Sequence, residues 1–224
     1  MEKDKNIIDN INAIIFDFDG TLYDMRHFAY YLILHNLTDL KLLKRERKVR
    51  RIIRNYSFSN REEYYSAFFK MLFPNNNNID EAYKWYFEKY MKSFIKALSR
   101  HVSARKNVSQ IFDKLSEKNI KMAILSDYPF AKERLKAIKI DSNIDCYCSE
   151  DFGALKPNPQ ALLKLADNMN VKAENVLVVG DKFLTDGKAA INANMKYLII
   201  SPEDNLVEKN ISWDSFCNLI FEKL

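Results

Sequence analysis

Asp17, Asp19, Gly20 and Thr21 follow directly on a short apolar run, Asn12 to Phe16, and three later segments of the sequence end in a comparable way. Ser126 and Asp127 follow Met122 to Leu125, Lys156 follows a segment near Ile144 to Cys148, and Gly180 and Asp181 follow Val176 to Val179, with Asp186 five residues on. Acids, a hydroxyl and an ammonium at successive strand ends suit phosphoryl transfer, where the work is to position an oxygen-rich anion and neutralise the charge that develops on it. A carboxylate can attack phosphorus and form an acyl phosphate, splitting one hard displacement into two. Asp17 is read as that nucleophile. Asp19, two residues along an extended segment, points from the same strand end and is placed to protonate the leaving oxygen and later to deprotonate water. Clustered carboxylates repel one another and an incoming phosphate, and a hard divalent cation with oxygen ligands relieves this, so Mg2+ is expected on Asp17 and Asp181. Ser126 donates a hydrogen bond to a phosphoryl oxygen in this reading, and Lys156 supplies a point positive charge. Gly20 and Thr21 belong to the loop the substrate approaches, and Asp127 is expected to offer only its backbone N–H.

Such a constellation needs elements to hold it. Each apolar run reads as a buried strand, and from about Arg105 strands alternate with helices: a helix through Leu115, one from Pro129, one from Pro157 and one through Ala193, with a final strand Tyr197 to Ile200. That alternation implies a parallel sheet, and in open parallel sheets ligands bind beyond the carboxyl ends of the strands. Between Asp24 and about Leu98 the pattern is helical instead, as in Tyr83, Phe87, Tyr90, Phe94 and Leu98, with breaks near Ser57 to Asn60 and at Pro74 to Asn78. The first strand lacks partners unless it joins the later sheet. The expected fold is therefore an α/β, Rossmann-like parallel-sheet core (residues 1–24 and 101–224) with an inserted all-helical cap (25–100).

At this point the chain resembles the haloacid dehalogenase superfamily, whose four motifs appear in order: DFDGTL at 17–22, LSD at 125–127, Lys156 in ALKPNPQ, and GDKFLTD at 180–186. The resemblance implies a magnesium ion bound by Asp17, Asp181 and the main-chain carbonyl of Asp19, with Asp186 binding or supporting the metal. It also implies a helical lid between the first and second motifs. Members that displace halide from carbon lack the second acid of the DxD, so Asp19 argues for phosphate chemistry. The sequence departs from the family at Asp127, where relatives often carry Asn, and at Asn194, where many carry Gly.

The remaining features bound the answer more loosely. With 224 residues, 47% of them hydrophobic, the chain is long enough for a sizeable core, and its 29% charged residues argue against disordered or collagen-like classes. The charged amino terminus and the lack of any long apolar run make a cytoplasmic protein without a membrane span the expectation. Three cysteines, with Cys146 and Cys148 two apart, form no disulfide framework or CxxC pattern. A net charge of +5 permits an anionic substrate without requiring nucleic acid. Asp24 is read as a cap of the first lid helix, and His27, His35 and His101 as packing or solvated residues. The densest charge run, Lys41 to Arg54, reads as an amphipathic lid helix, either a solvated face or an attractor of anions. The function expected is a magnesium-dependent phosphatase acting on a small phosphorylated metabolite through an aspartyl phosphate. A sugar-phosphate mutase and a non-catalytic phosphate- or protein-binding module are the alternatives.

Overall fold

The structure, a computed structural model, describes residues 7–26, 28–74 and 79–224. The charged residues 1–6, His27 and positions 75–78 of the second expected break lie outside the described residues.

Six strands form one sheet: β1 (Ala13–Asp17), β2 (Lys121–Ser126), β3 (Asp145–Cys148), β4 (Val176–Gly180), β5 (Lys196–Ile200) and β6 (Asn210–Ile211). Their order is β3-β2-β1-β4-β5-β6, and every pairing is parallel. This is the expected Rossmann-like α/β fold, extended at one edge by β6, which is too short to leave a pattern in the sequence. β1 is buried along its whole length because strands flank it on both sides and helices cover both faces. Its residues alternate accordingly. Ile14 and Phe16 join one apolar cluster with Ile111, Phe112, Leu115 and Phe216 from α6 (Val108–Glu117) and α10 (Trp213–Lys223). Ala13 and Ile15 join a second with Leu162, Leu165, Ala189 and Ala190 from α8 (Gln160–Asn168) and α9 (Lys188–Asn192). Asn194, just before β5, has a φ of 55°, a left-handed conformation that asparagine tolerates and glycine adopts freely.

Between β1 and α6 the chain is helical: α1 (Phe28–Leu34), α2 (Leu40–Ile53), α3 (Arg61–Leu72), α4 (Ile79–Tyr83), a π-helical stretch Lys84–Met91 and α5 (Lys92–His101). The break before α3 has a local cause. Asn60 Oδ1 accepts from the Glu63 N–H at 2.9 Å while Glu63 Oε2 accepts from the Ser59 N–H at 3.1 Å, a reciprocal cap that fixes the helix start. Tyr64, Phe68, Tyr86, Tyr90 and Phe94 are buried and continuous with the core cluster on the α6 face of the sheet. Asp24 does not cap α1, which starts only at Phe28; its carboxylate instead accepts from the Arg26 N–H at 2.8 Å in a local turn. Among the described residues no helix is long and apolar enough to cross a membrane.

Candidate active site

β1 ends at Asp17 because the next three residues turn away from the sheet. Gly20 has a φ of +96°, and a Cβ on it would fall 2.2 Å from Asp181 Oδ2, so only glycine lets the first loop lie against the end of β4. Arg105 fastens that loop from behind, donating to the carbonyls of Thr21 and Gly20, both at 3.0 Å.

Asp17 is held from two sides. Thr21 Oγ1 donates to its Oδ2 at 3.0 Å, and Lys156 Nζ donates to its Oδ1 at 2.5 Å while reaching Asp186 Oδ1 at 2.6 Å. The Thr21 side chain is thus committed to Asp17, and the whole residue is buried. Burial pushes the Asp17 carboxyl well above the ordinary range; Lys156 opposes the push, and Asp186 and Asp181 add to it. Burial alone would lower Lys156, yet Asp17 and Asp186 hold it well above its usual value. Asp181, also raised by burial, pairs with Lys182 at 3.0 Å. Asp186 accepts from the Lys182 N–H at 3.1 Å and from Thr185 Oγ1 at 3.3 Å.

Oxygens of Asp17, Asp181 and Asp186 lie within 4.8 Å of one another. Three carboxylates against the two ammonium groups of Lys156 and Lys182 leave the cluster net negative, and Asp186 and Asp181 add to the upward push that burial gives Asp17. An all-oxygen donor set of this kind fits a hard divalent cation such as Mg2+.

Asp19 stands apart from this cluster, held by residues that its motif does not contain. The Arg134 guanidinium reaches both of its oxygens at 2.7 Å, Tyr23 donates its hydroxyl to Oδ1 at 2.6 Å, and Ser126 donates to Oδ2 at 3.0 Å. Burial would raise the Asp19 carboxyl, but Arg134, Tyr23 and Ser126 together hold it below its usual value. The Ser126 hydroxyl donates to Asp19 and accepts from both Arg134 and the Tyr128 N–H, so here it faces Asp19. Asp127 is engaged by its side chain as well as its backbone. Its Oδ1 accepts from the Lys156 N–H at 3.2 Å, its Oδ2 pairs with Arg54 at 3.1 Å, and its carbonyl accepts from Arg50 at 2.6 Å.

Sequence reasoning passed over Tyr23, Arg105, Arg134 and Lys182 as site residues, and took Arg50 and Arg54 only as part of the basic run Lys41 to Arg54. Arg134 did leave a signal: in α7 (Ala131–Ala137) it falls in line with Ala131, Leu135 and Ile138, the spacing of an apolar stripe, and a charged residue in such a stripe needs a buried partner.

A parallel sheet thus presents these carboxylates at the ends of β1 and β4. Residues 14–200 match the family described as haloacid dehalogenase-like hydrolases, and the chain belongs to it. A glyceraldehyde 3-phosphate phosphatase from Pyrococcus abyssi is 25% identical over 83% of this chain and 79% of its own. A protein described as a pyrophosphatase, PpaX, from Caldanaerobacter subterraneus subsp. tengcongensis is 30% identical over 45% of this chain, and the match spans only 44% of that relative's length. Among solved structures, a 2-haloacid dehalogenase from Pseudomonas syringae pv. Tomato superposes with a TM-score of 0.63 at 20% identity, covering 95% of this chain and 99% of that one. At that identity the likeness is one of fold.

Proposed function

We propose that this chain is a magnesium-dependent phosphatase of small phosphomonoesters, working through an aspartyl phosphate on Asp17, with the helices of 25–100 as a cap over the site. The observation that carries the reading is the buried Asp17 at the end of β1, oriented by Thr21 and Lys156 and adjoined by Asp181 and Asp186. Asp17, Asp181, Asp186 and the Asp19 main-chain carbonyl would hold the ion. Bound Mg2+ supplies the positive charge that keeps Asp17 ionised and offsets charge on the phosphoryl oxygens. Thr21 and Lys156 orient Asp17 for attack on phosphorus, and the ester oxygen leaves with a proton from Asp19. Asp19 then takes a proton from the water that hydrolyses the aspartyl phosphate. In the arrangement seen, Arg134 holds Asp19 as a carboxylate, the state that serves the second step. The first step requires Asp19 to leave Arg134 and gain a proton. Asp19 is also what favours phosphate over halide, because a displacement at carbon has no leaving oxygen to protonate. Support comes further from the phosphatase among the relatives.

Phosphate release from a panel of phosphomonoesters, with and without Mg2+, tests the reading beside Asp17→Asn. The expected result is magnesium-dependent release that falls by about 10³-fold or more in the variant, since a carboxamide cannot replace the attacking carboxylate. Turnover by Asp17→Asn at the wild-type rate would remove Asp17 as nucleophile.

A further inference from the structure

The basic residues of α2 play no part in the chemistry above, yet four of them share a stripe. Arg47, Arg50, Arg51 and Arg54 recur at i, i+3, i+4 and i+7, which aligns them along the helix and its C-terminal end. That stripe lines a concave cavity of about 390 Å3 together with Phe28, Phe94 and Tyr128.

The four guanidinium groups differ in how far they are satisfied. Arg50 is buried and spent on Glu46, Tyr86, Glu150 and the Asp127 carbonyl. Arg54 gives one terminal nitrogen to Asp127, but its Nε is buried with no acceptor. Arg47 and Arg51 are exposed, and neither makes an ion pair among the described residues. An N–H removed from water without an acceptor is costly, and guanidinium groups gathered at one cavity repel one another unless an anion stands among them. An oxyanion at this wall would meet the unpaired Arg54 Nε–H and two guanidinium groups that have no carboxylate of their own among the described residues.

The same cavity reaches the residues that follow β2. Tyr128 lines it and donates its N–H to Ser126 Oγ at 3.1 Å, while Arg54 on the wall holds Asp127, so the cavity begins at the end of β2. Met25 lines it too, and also lines a smaller space of about 250 Å3 bounded by Gly20 and Asp181.

We propose that this cavity receives the leaving-group half of the substrate, which carries a second oxyanion, a carboxylate or another phosphoryl group, on a small body with an apolar face. The proposal rests on Asp17 being the phosphoryl-accepting group. Guanidinium forks pair with either oxyanion in a two-point manner, and the aromatic side chains take up the carbon body between the two charged ends.

Calorimetric binding of phenylphosphonate, which cannot be hydrolysed, provides the reference. It is compared with phenylphosphonates bearing a carboxylate on the ring directly or through one or two methylenes, and with a bisphosphonate analogue. In the wild-type protein with Mg2+, at least one doubly anionic probe should bind ten times more tightly or better than phenylphosphonate. Carboxylate and phosphonate arms show which oxyanion the arginines prefer. In Arg47→Met/Arg51→Met, checked for folding by circular dichroism, that ratio should fall toward one. Equal affinities across the wild-type series would overturn the proposal, as would an advantage that survives in the double variant. If the preference holds but the matching phosphate esters release no phosphate, the oxyanion cavity stands and the phosphatase reading fails.

Discussion

Arg134 shows how one side chain fixes the state of a catalytic loop. It is fully buried, and its guanidinium is spread over the Asp19 carboxylate, Ser126 and the Tyr128 carbonyl, while Nε donates to the Pro129 carbonyl at 3.1 Å. Its charged carbon lies 4.6 Å from the centre of the Phe18 ring. A charge so enclosed stands only because it is matched. Removing one partner of a buried pair leaves the other uncompensated, which costs about 3–5 kcal/mol. Arg134→Gln should therefore lower unfolding stability by that amount in urea titrations. Arg134→Lys, which keeps the charge and loses the two-pronged geometry, should lose less. An unfolding free energy for Arg134→Gln within about 0.5 kcal/mol of wild type, the scatter of an ordinary surface change, would mean that the Asp19 carboxylate does not depend on this residue.

At the scale of elements, α1 and α5 meet across a pair of histidines that the sequence presents only as scattered. The His101 ring stacks on Tyr31 with centroids 4.0 Å apart, and its Nε2 lies 3.2 Å from His35 Nε2. Slight burial first, then the neighbouring His101, Arg100 and Lys96, lower the His35 pKa. A depressed folded value means that the unfolded chain binds the proton more readily. The His35 contribution is therefore present above the unfolded value of about 6.5 and is lost as pH falls through the lower folded one. Because the pair is largely exposed, solvent screening keeps the effect to about 0.5 kcal/mol, or some 1–2 °C in thermal midpoint between about pH 7.5 and pH 5.5. The comparison that isolates it is His101→Gln, whose midpoint should change less over the same interval; identical slopes would rule the pair out as the source.

The same elements show what a sequence discloses. β1, β2, β4 and β5 were legible because each is an apolar run closed by polar residues, and the placement of Asp17, Ser126 and Asp181 at their ends followed from the parallel alternation. The π-helical Lys84–Met91 was not, since it buries Trp85, Tyr86, Phe87, Tyr90 and Met91 much as an α-helix at that spacing would. Nor were the partners of Asp19, because Arg134 meets it across 115 residues of chain, a separation that local spacing cannot encode. Ser126 illustrates the limit most sharply. Its position was readable, but the direction of its hydroxyl depends on Arg134 and Asp19, which reach it only once the sheet has formed.

Two of the junctions between the helices and the sheet core differ in kind. Beside the two chain crossings, Tyr23 bridges to Ala104 and the Arg105 N–H donates to the Leu22 carbonyl at 2.8 Å, so both strands of the connection are tied to each other. The second junction lies beyond β3, where Glu150 is buried under the helices and accepts from Arg50 at 2.9 Å, Tyr65 at 2.5 Å, Tyr86 at 3.0 Å and Tyr64 at 3.3 Å. Burial raises the Glu150 carboxyl, with Arg50 and the tyrosine hydroxyls opposing the rise. Next to it the Phe58 N–H donates to the Gly153 carbonyl at 2.9 Å. Gly153, at a φ of +78°, has no room for a side chain, since a Cβ would meet the Phe58 carbonyl oxygen at 2.3 Å. Any swing of the helices about the crossings must open this second junction. Glu150→Ala leaves Arg50 with Glu46 as its remaining carboxylate and three tyrosines short of an acceptor. Local opening should then become easier by several kcal/mol. Hydrogen exchange under native conditions reads this residue by residue: the Phe58 amide should exchange about 100-fold faster in the variant, with the amides of β1 changing far less. A uniform acceleration across β1 and Phe58 alike would show that the junction serves global stability instead, and the helices would then have no separate opening for Glu150 to control.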